Sequence, residues 1–291
     1  MKTTANLPNL DYLNKKIIWI IGLERSGTTV LGNLVGSLKG TEYIYEPDTL
    51  YPILFLKKKI SFDKWKMLFE CYFYNDLLRN RINNRQINLN KNDDSFYLNF
   101  KKNLKFKTKE FDIFKKNKTV PRSKIIIKIP GLVEEVIELK KIFKHFKFII
   151  IERNGVELVS SIIRKNWFKK NFDNRHFPYI KNKSNIYPFW LKKKHFKFWK
   201  SLNYYERAAF YVIEFKKIIN KNKNKNIFKI SYDQLISNPH TIVNRISKKF
   251  NLQKTQKTFS LLNKIKKRKR KAIHLEKKIR KNLLKELVRL N

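Results

Sequence analysis

Cysteine is nearly absent from this sequence, since Cys71 is the single one among 291 residues. One cysteine cannot form an intramolecular disulfide, and no spacing of cysteine and histidine in the chain fits a zinc site. The scarcity excludes a disulfide-stapled fold and is compatible with a reducing cytoplasm. The five histidines are isolated and are interpreted as surface or packing residues: His145, His176, His195, His240 and His274.

Long hydrophobic runs are absent as well. The apolar run from Ile17 to Leu23 is much shorter than the roughly 20 residues with which a helix crosses a bilayer. The first fifteen residues also lack the apolar core of a secretory leader. We therefore expect no membrane span and a cytoplasmic location.

Acidic residues are scarce, because 23 Asp and Glu stand against 67 Lys and Arg, which gives a formal charge of +44 at pH 7. Such an excess predicts an anionic ligand, acceptor or surface as the partner. Glycine and proline are few, at 7 and 8 residues, and their scarcity beside abundant Lys and Asn is also typical of an AT-rich genome. Selection for an anionic partner and coding bias both stay open as explanations of the charge.

The segment from Gly22 to Thr29 is the most informative part of the chain. It reads Gly-Leu-Glu-Arg-Ser-Gly-Thr-Thr, follows the apolar run Ile17 to Ile21 and opens an amphipathic stretch over residues 28–38. This pattern predicts a strand, a tight turn and a helix. A helix N-terminus carries N–H groups without intrahelical partners and the positive end of the helix dipole. The segment therefore predicts an anion site that lets the backbone approach a phosphate.

The cation of this turn does not stand where nucleotide triphosphatases have it. Their phosphate loop reads G-x-x-x-x-G-K-[ST], whereas Thr28 takes the lysine position here and the strong cation is Arg25. The displaced cation disfavours an ordinary ATP- or GTP-hydrolysing enzyme. A glycine turn without a ligand is the structural alternative.

Strand and helix patterns alternate along the rest of the chain, which predicts an α/β fold with a central parallel sheet. Four further strands are predicted at residues 42–45, 124–129, 146–151 and 227–230. Later helices are predicted at residues 132–143, 155–168 and 202–219.

The domain organisation follows from composition. We expect a single domain over residues 1–291, with a variable, mostly helical insertion at 57–120 and a basic helical C-terminal segment at 255–291. Residues 169–200 are interpreted as a polar, aromatic loop.

Three motifs, in this order, resemble those of the sulfotransferase superfamily, whose members use 3′-phosphoadenosine 5′-phosphosulfate (PAPS). The first is the turn around Arg25. The second is Arg153 at a strand end with Ser161 eight residues later, for which Ser160 is the alternative. The third is the segment from Tyr232 to Pro239, which fits Y-D-x-L-x-x-x-P. The resemblance implies a P-loop-like three-layer fold, PAPS as cofactor and no required metal.

The resemblance also implies roles for individual residues. The turn would grip the 5′-phosphosulfate through Arg25, Ser26, Gly27, Thr28 and Thr29. Arg153 and Ser161 would hold the 3′-phosphate, and Tyr232 would lie near the nucleotide. The ordinary alternative for Arg153 is an ion pair with Glu152 or Glu157.

Glu46 is the general base that the resemblance implies. Members acting on small molecules carry Lys-Thr-His after the third strand, whereas this chain has Lys128-Ile129-Pro130 and lacks that histidine. Members acting on carbohydrates and proteins commonly use a glutamate in a Glu-Pro pair after the second strand, and Glu46-Pro47 is similar. The competing carboxylates are Glu24, Glu42 and Asp48.

One further family feature has no clean counterpart. The Arg-Lys-Gly nucleotide loop near the C-terminus is replaced by the basic run from Lys267 to Lys271, which has no glycine. The sequence therefore does not specify what closes over the nucleotide.

These features together predict in-line sulfuryl transfer from PAPS to a hydroxyl of a glycan or another large acceptor. An acceptor that is itself anionic is one version of this prediction. Arg25 would stabilise the leaving group and Glu46 would accept the proton. A P-loop kinase or triphosphatase is one alternative, which rests on the loop alone. A basic nucleic-acid-binding protein is the other, which rests on the charge. The ordered motifs favour neither, so no specific nucleic-acid partner is expected.

Overall fold

A parallel five-stranded sheet forms the centre of the computed structural model. The structure describes residues 15–57, 59–73, 76–77, 124–141, 143, 145–169, 179–182, 184–222, 227–265 and 273–291. The strands in chain order are β1 (Ile17–Ile21), β2 (Thr41–Tyr45), β3 (Lys124–Lys128), β4 (Lys147–Glu152), β5 (Tyr179–Asn182), β6 (Asn185–Pro188) and β7 (Ile227–Ser231). The sheet has the order β2-β3-β1-β4-β7, and β5 and β6 form a separate antiparallel hairpin.

Helices connect the strands. In chain order they are α1 (Thr28–Gly36), α2 (Leu50–Leu56), α3 (Phe62–Cys71), α4 (Val133–Glu138), α5 (Gly155–Ile163), α6 (Phe196–Ser201), α7 (Tyr204–Lys221), α8 (Tyr232–Ser237), α9 (Pro239–Phe250), α10 (Gln256–Asn263) and α11 (Lys281–Arg289). No helix among the described residues has both the length and the apolar character needed to cross a membrane.

The central strands are apolar throughout because helices cover both faces of the sheet. Trp19 in β1 pairs with Ile127 of β3 on one side and with Phe148 of β4 on the other. One face of β1 contributes Trp19 to a core that includes α4, α5, α7 and α11, and the other face contributes Ile18 to a core that includes α1, α8, α9 and α10. The α/β three-layer fold predicted from the sequence is confirmed.

The chain changes direction in the sheet at β1. From β1 it runs through α1, on one face, toward β2, and from β4 it runs through α5, on the opposite face, toward β7. Adjacent parallel strands whose connections leave in opposite directions open a crevice at their carboxyl ends, and ligands bind there in open α/β sheets. The β1 and β4 ends therefore define the place to look for a site.

The predicted strand bounds agree with the structure within one or two residues, but three predictions about other segments were inaccurate. The helix predicted over residues 132–143 spans Val133–Glu138 and continues as a 3₁₀-helix over Leu139–Lys141. The helix predicted to reach residue 168 ends at Ile163. The segment 169–200, interpreted as a loop, contains the β5–β6 hairpin and α6. The ring of Tyr187 stacks on that of Phe196 with centroids 3.8 Å apart. Such aromatic contacts between elements stabilise structure that local periodicity does not indicate.

Most of the predicted insertion at 57–120 lies outside the described residues, as does the basic run at 267–271. The described beginning of the insertion, helix α3, buries Trp65 and Phe69 completely in the larger core. In the C-terminal segment, Leu283 and Leu287 of α11 are buried in the same core. The single domain and its two subdivisions stay predictions.

Candidate active site

The turn after β1 is held by its own serine. The Ser26 hydroxyl donates to the Leu23 carbonyl oxygen at 2.6 Å, and the Ser26 N–H donates to the same oxygen at 3.1 Å. Arg25 and Gly27 have φ values of 69° and 101°, so both lie in the left-handed region that non-glycine residues rarely occupy. Helix α1 begins directly after Gly27, at Thr28. The sequence thus forms the predicted strand, tight turn and helix N-terminus.

A second strand-to-helix junction follows β4. Asn154 caps α5, since its side-chain oxygen accepts the Glu157 N–H at 3.2 Å. Arg153 donates from Nε and Nη2 to the Glu157 carboxylate at 3.1 and 2.9 Å, which is one of the two ion pairs considered from the sequence. Its Nη1 donates to the Arg25 carbonyl oxygen at 3.2 Å. Arg153 therefore joins the two junctions directly.

Tyr232, the first residue of α8, lies against both junctions. The Arg153 guanidinium is 4.4 Å from the centre of its ring, a cation–π geometry. A Cβ atom on Gly27 would come within 2.5 Å of the Tyr232 ring. Gly27 is thus required at this position for its positive φ and for its lack of a side chain.

A cavity of about 310 Å³ opens where these elements meet, a volume at the lower end of the roughly 300–1,000 Å³ typical of small-molecule sites. Seven residues predicted for the site line it: Arg25, Gly27, Thr28, Thr29, Arg153, Ser161 and Tyr232. Ser161 rather than Ser160 belongs to this lining. Ser26 is buried in the turn instead, and Glu46 lies outside the cavity wall.

Four lining residues were missed from the sequence: Val30, Ile236, Lys264 and Ile265. Ile236 lies within the motif from Tyr232 to Pro239, so its place in the sequence could have indicated it. Lys264 and Ile265 follow α10 and match no motif. The four residues add one cation and three apolar side chains to a cavity otherwise lined by arginines, hydroxyls and a tyrosine ring.

Glu46 is paired with a buried lysine. It follows β2 with φ of 38°, and its N–H donates to the Lys128 carbonyl oxygen at 2.9 Å. The Lys128 ammonium contacts the Glu46 carboxylate and also donates to Thr29 Oγ1 at 3.2 Å. The ammonium lies 4.3 Å from the centre of the Tyr45 ring. Lys128 thus connects the predicted base to the turn that lines the cavity.

Burial and ion pairing have opposite effects on the pKa of Lys128. The Lys128 side chain is 1% exposed and that of Glu46 is 32% exposed. Burial lowers the pKa of Lys128, while the bond to Glu46 acts to raise it. A buried ammonium keeps its charge best beside a carboxylate, so the two residues form one unit. From the sequence, Lys128 stands out only as the lysine shared with the Lys-Thr-His of other members, without a role of its own.

Glu24, a competing base, lies in the turn and is partly buried. The Tyr211 hydroxyl of α7 donates to its carboxylate. Burial raises the pKa of Glu24 to about 7, and the bond from Tyr211 and the charge of Lys128 oppose this rise. The other two competing carboxylates, Glu42 and Asp48, are exposed.

Metal ligands are not grouped in the part of the chain that the structure describes, where no three His, Cys, Asp or Glu side chains could share an ion. The expectation that no metal is required stays a prediction.

Several solved structures resemble this fold. The sulfotransferase domain of the curacin biosynthetic pathway is 14% identical with a TM-score of 0.48, and the comparison covers 84% of this chain and 77% of that one. The sulfotransferase domain of the Synechococcus olefin synthase is 13% identical with a TM-score of 0.47, over 84% and 76% of the two chains. A Mycobacterium tuberculosis sulfotransferase is 12% identical with a TM-score of 0.41, over 86% and 71%.

Comparison of the sequence itself gives the family. No curated protein matches the chain. A family model described as the sulfotransferase family matches residues 18–256, a span that holds both junctions, Glu46, Lys128 and Tyr232. The chain therefore belongs to the sulfotransferase family, and its reaction is the transfer of a sulfuryl group to a hydroxyl-bearing acceptor.

Proposed function

We propose that the sulfuryl donor is PAPS, bound in the cavity between the β1 and β4 junctions. The observation that supports this most directly is the bond from Arg153 to the Arg25 carbonyl oxygen, because it brings two anion-binding junctions to one cavity. A donor with phosphate groups at both ends of one nucleoside needs two such junctions at a short distance from each other.

The chemistry of the cavity wall fits the two ends of this donor. At one end, Arg25, Thr28 and Thr29 offer a guanidinium, two hydroxyls and the N-terminus of α1. At the other end, Arg153 and Ser161 would hold the 3′-phosphate. The bond between Arg153 and Glu157 holds the guanidinium in place but neutralises its charge only in part, because Glu157 is half exposed.

The rest of the wall suits the nucleoside. Tyr232 offers a ring, while Ile236 and Ile265 offer apolar surface on which a purine can pack. Lys264 adds a cation from beyond the Tyr232 motif. These residues would contact the nucleotide in place of the family's Arg-Lys-Gly loop, which has no clean counterpart in this chain.

Glu46 is the general base in this proposal. PAPS supplies the sulfuryl group and an anionic leaving group when it is bound. Glu46 accepts the proton of the acceptor hydroxyl, and the ion pair with Lys128 holds the carboxylate in place. Arg25 neutralises the charge that grows on the leaving side. In-line transfer then requires the acceptor to enter from the Glu46 side of the turn.

The acceptor that we propose is a glycan or another large hydroxyl-bearing molecule. A glutamate base in a Glu46-Pro47 pair, with Pro130 where a histidine base would stand, resembles members of the superfamily that modify carbohydrates and proteins. The formal charge of +44 favours an acceptor that itself carries negative charge. A cytoplasmic location, compatible with a single cysteine, belongs to the same proposal.

Binding of 3′,5′-bisphosphoadenosine (PAP) tests the donor assignment. Arg153→Ala should weaken PAP binding by roughly ten- to a hundredfold, because a hydrogen bond to a charged group contributes about 1.5–3 kcal/mol, and Ser161→Ala should weaken it less. Arg289→Ala is the matched control, since that side chain is 72% exposed on α11. Titration calorimetry measures all three variants. Equal PAP affinity in Arg153→Ala and the control would contradict the proposal.

A further inference from the structure

The turn that lines the cavity carries an acid. Glu24 stands directly before Arg25 in a segment whose other residues are neutral or basic. Its backbone adjoins that of Arg25, which lines the cavity, although Glu24 itself is not part of the lining, and charges are screened only beyond about 8 Å at physiological salt. A carboxylate at this position repels any anion that binds in the turn. The repulsion is removed if the carboxylate is neutral.

Glu24 is held at this position from two sides. The Tyr211 hydroxyl donates to one of its oxygens. On the other side, the backbone at Gly131 passes so close that a Cβ atom there would lie 2.0 Å from Glu24 Oε1. Gly131 has φ of 78° and its N–H donates to the Gly22 carbonyl oxygen at 3.1 Å. The carboxyl group is therefore enclosed beside the turn.

Glu24, Glu46 and Lys128 form one charged cluster. Lys128 contacts the Glu46 carboxylate and Thr29 Oγ1, and its charge also acts on Glu24. Thr29 lines the cavity, so an anion in the turn comes near the same ammonium. Glu46 and Glu24 therefore already share this ammonium, and an incoming phosphate brings further negative charge beside it, where Arg25 is the other cation of the turn.

We propose that Glu24 takes up a proton from solvent when a phosphate or phosphosulfate group binds in the turn, so that nucleotide binding is linked to protonation of this carboxyl group. The inference rests on the proposed function, because it takes the donor to bind in this cavity. The proton converts the carboxylate of Glu24 to a neutral carboxyl group, and no covalent bond to the nucleotide is involved.

Among the titratable groups that face one another here, Glu24 is the one suited to take up the proton. Burial raises the pKa of both Tyr51, on α2, and Tyr211, on α7, so both phenols keep their protons. The charge of Glu46 acts to raise the pKa of Glu24, and that of Lys128 acts to lower it. Glu135, on α4, acts on Tyr211 in the same direction as burial.

Nucleotide binding and protonation of Glu24 favour each other. The pKa of Glu24 is raised to about 7 in the free protein, and a bound anion raises it further. Nucleotide affinity is then highest below pH 7 and falls as the pH rises between the free and the bound pKa, with a limiting slope of about tenfold per pH unit for one proton. Proton uptake on binding is largest between these two pKa values.

Titration calorimetry with PAP at about pH 7.5, in buffers of different ionisation enthalpy, measures this uptake as a slope. We expect the wild-type protein to take up about half a proton more than Glu24→Gln, and the variant to lose much of the pH dependence of PAP affinity. Glu276→Gln removes an exposed carboxylate far along the chain and should behave as wild type. Titration of the PAP phosphates is common to all three and cancels in the comparison.

Tyr211→Phe provides a second, opposite test. The Tyr211 bond acts to lower the pKa of Glu24, so its removal should move the fall in PAP affinity to higher pH. If Tyr211 acted through packing alone, the pH at which PAP affinity falls would stay unchanged. PAP binding with equal proton uptake in wild type and Glu24→Gln would overturn this inference only. Absence of PAP binding to the wild-type protein at every pH would overturn the donor proposal and this inference with it.

Discussion

The turn after β1 separates two regions that are built in different ways. On one side lies the cavity lined by Arg25, Arg153 and Tyr232, and on the other lies the cluster of Glu24, Glu46 and Lys128. The lining comes mainly from three sequence motifs, each a strand end followed by a helix. The cluster comes from residues that belong to no shared motif. Most of the lining residues belong to motifs that are each local in sequence, although the motifs lie far apart, whereas the contacts of the cluster join single residues from three separate segments.

The two regions also differ in their response to pH. The lining contains no carboxyl group: its side chains are two arginines, a lysine, hydroxyls, a tyrosine ring and apolar groups. The cluster contains a carboxyl group whose pKa is raised to about 7 and a lysine whose pKa is lowered by burial. The difference implies that substitutions in the two regions should affect different measurements.

The largest expected effect comes from the cluster. Glu46→Gln should lower kcat by about 10²–10⁴, the range for loss of a general base, while PAP affinity stays nearly unchanged. Steady-state sulfotransfer kinetics and PAP titration measure the two quantities. Glu42→Gln is the matched control because Glu42 is an exposed glutamate on β2, the strand that Glu46 follows. A collapse of kcat in Glu42→Gln with an active Glu46→Gln would assign the base elsewhere.

The next effect comes from the lining. Gly27→Ala should destabilise the protein by roughly 2–4 kcal/mol, because the new Cβ meets the Tyr232 ring at 2.5 Å and the left-handed backbone is strained. PAP affinity should fall as well. Gly40→Ala separates the two causes, since Gly40 has φ of 75° and nothing lies within 4 Å of its added Cβ. Urea unfolding that gives equal losses for both variants would show that the ring contact contributes nothing.

The smallest effect is a pH dependence of stability. A carboxyl group whose pKa rises from 4.5 to about 7 on folding binds more protons in the folded state, so its contribution to the free energy of unfolding decreases as the pH rises through this window. Glu24→Gln should therefore be more stable than wild type by roughly 1–2 kcal/mol above pH 7 and lose this advantage near pH 5. Urea unfolding across this range measures it, with Glu276→Gln as the control. A constant difference between wild type and Glu24→Gln would locate the titration in another group.

The elements next to the site were predictable because their signals are local. The apolar run Ile17–Ile21, the two glycines of the turn and Thr28 at the helix start lie within a few residues of each other, and strand, turn and helix preferences act over that distance. The same holds for the β4 junction with Arg153. The hairpin of β5 and β6 was missed, because its contacts, such as Tyr187 on Phe196, join separate elements.

The sequence by itself determined the strand-to-helix junctions and the order in which they follow one another, because capping, glycine conformation and apolar periodicity depend on neighbouring residues. Only the tertiary structure decided which side chains share the other side of the turn. Glu24 meets Tyr211 across 187 residues, and Lys128 meets Glu46 across 82. The physical reason is the strand order: β3 lies between β2 and β1 in the sheet, which brings Lys128 beside both Glu46 and the turn, and chain connectivity alone does not contain that order.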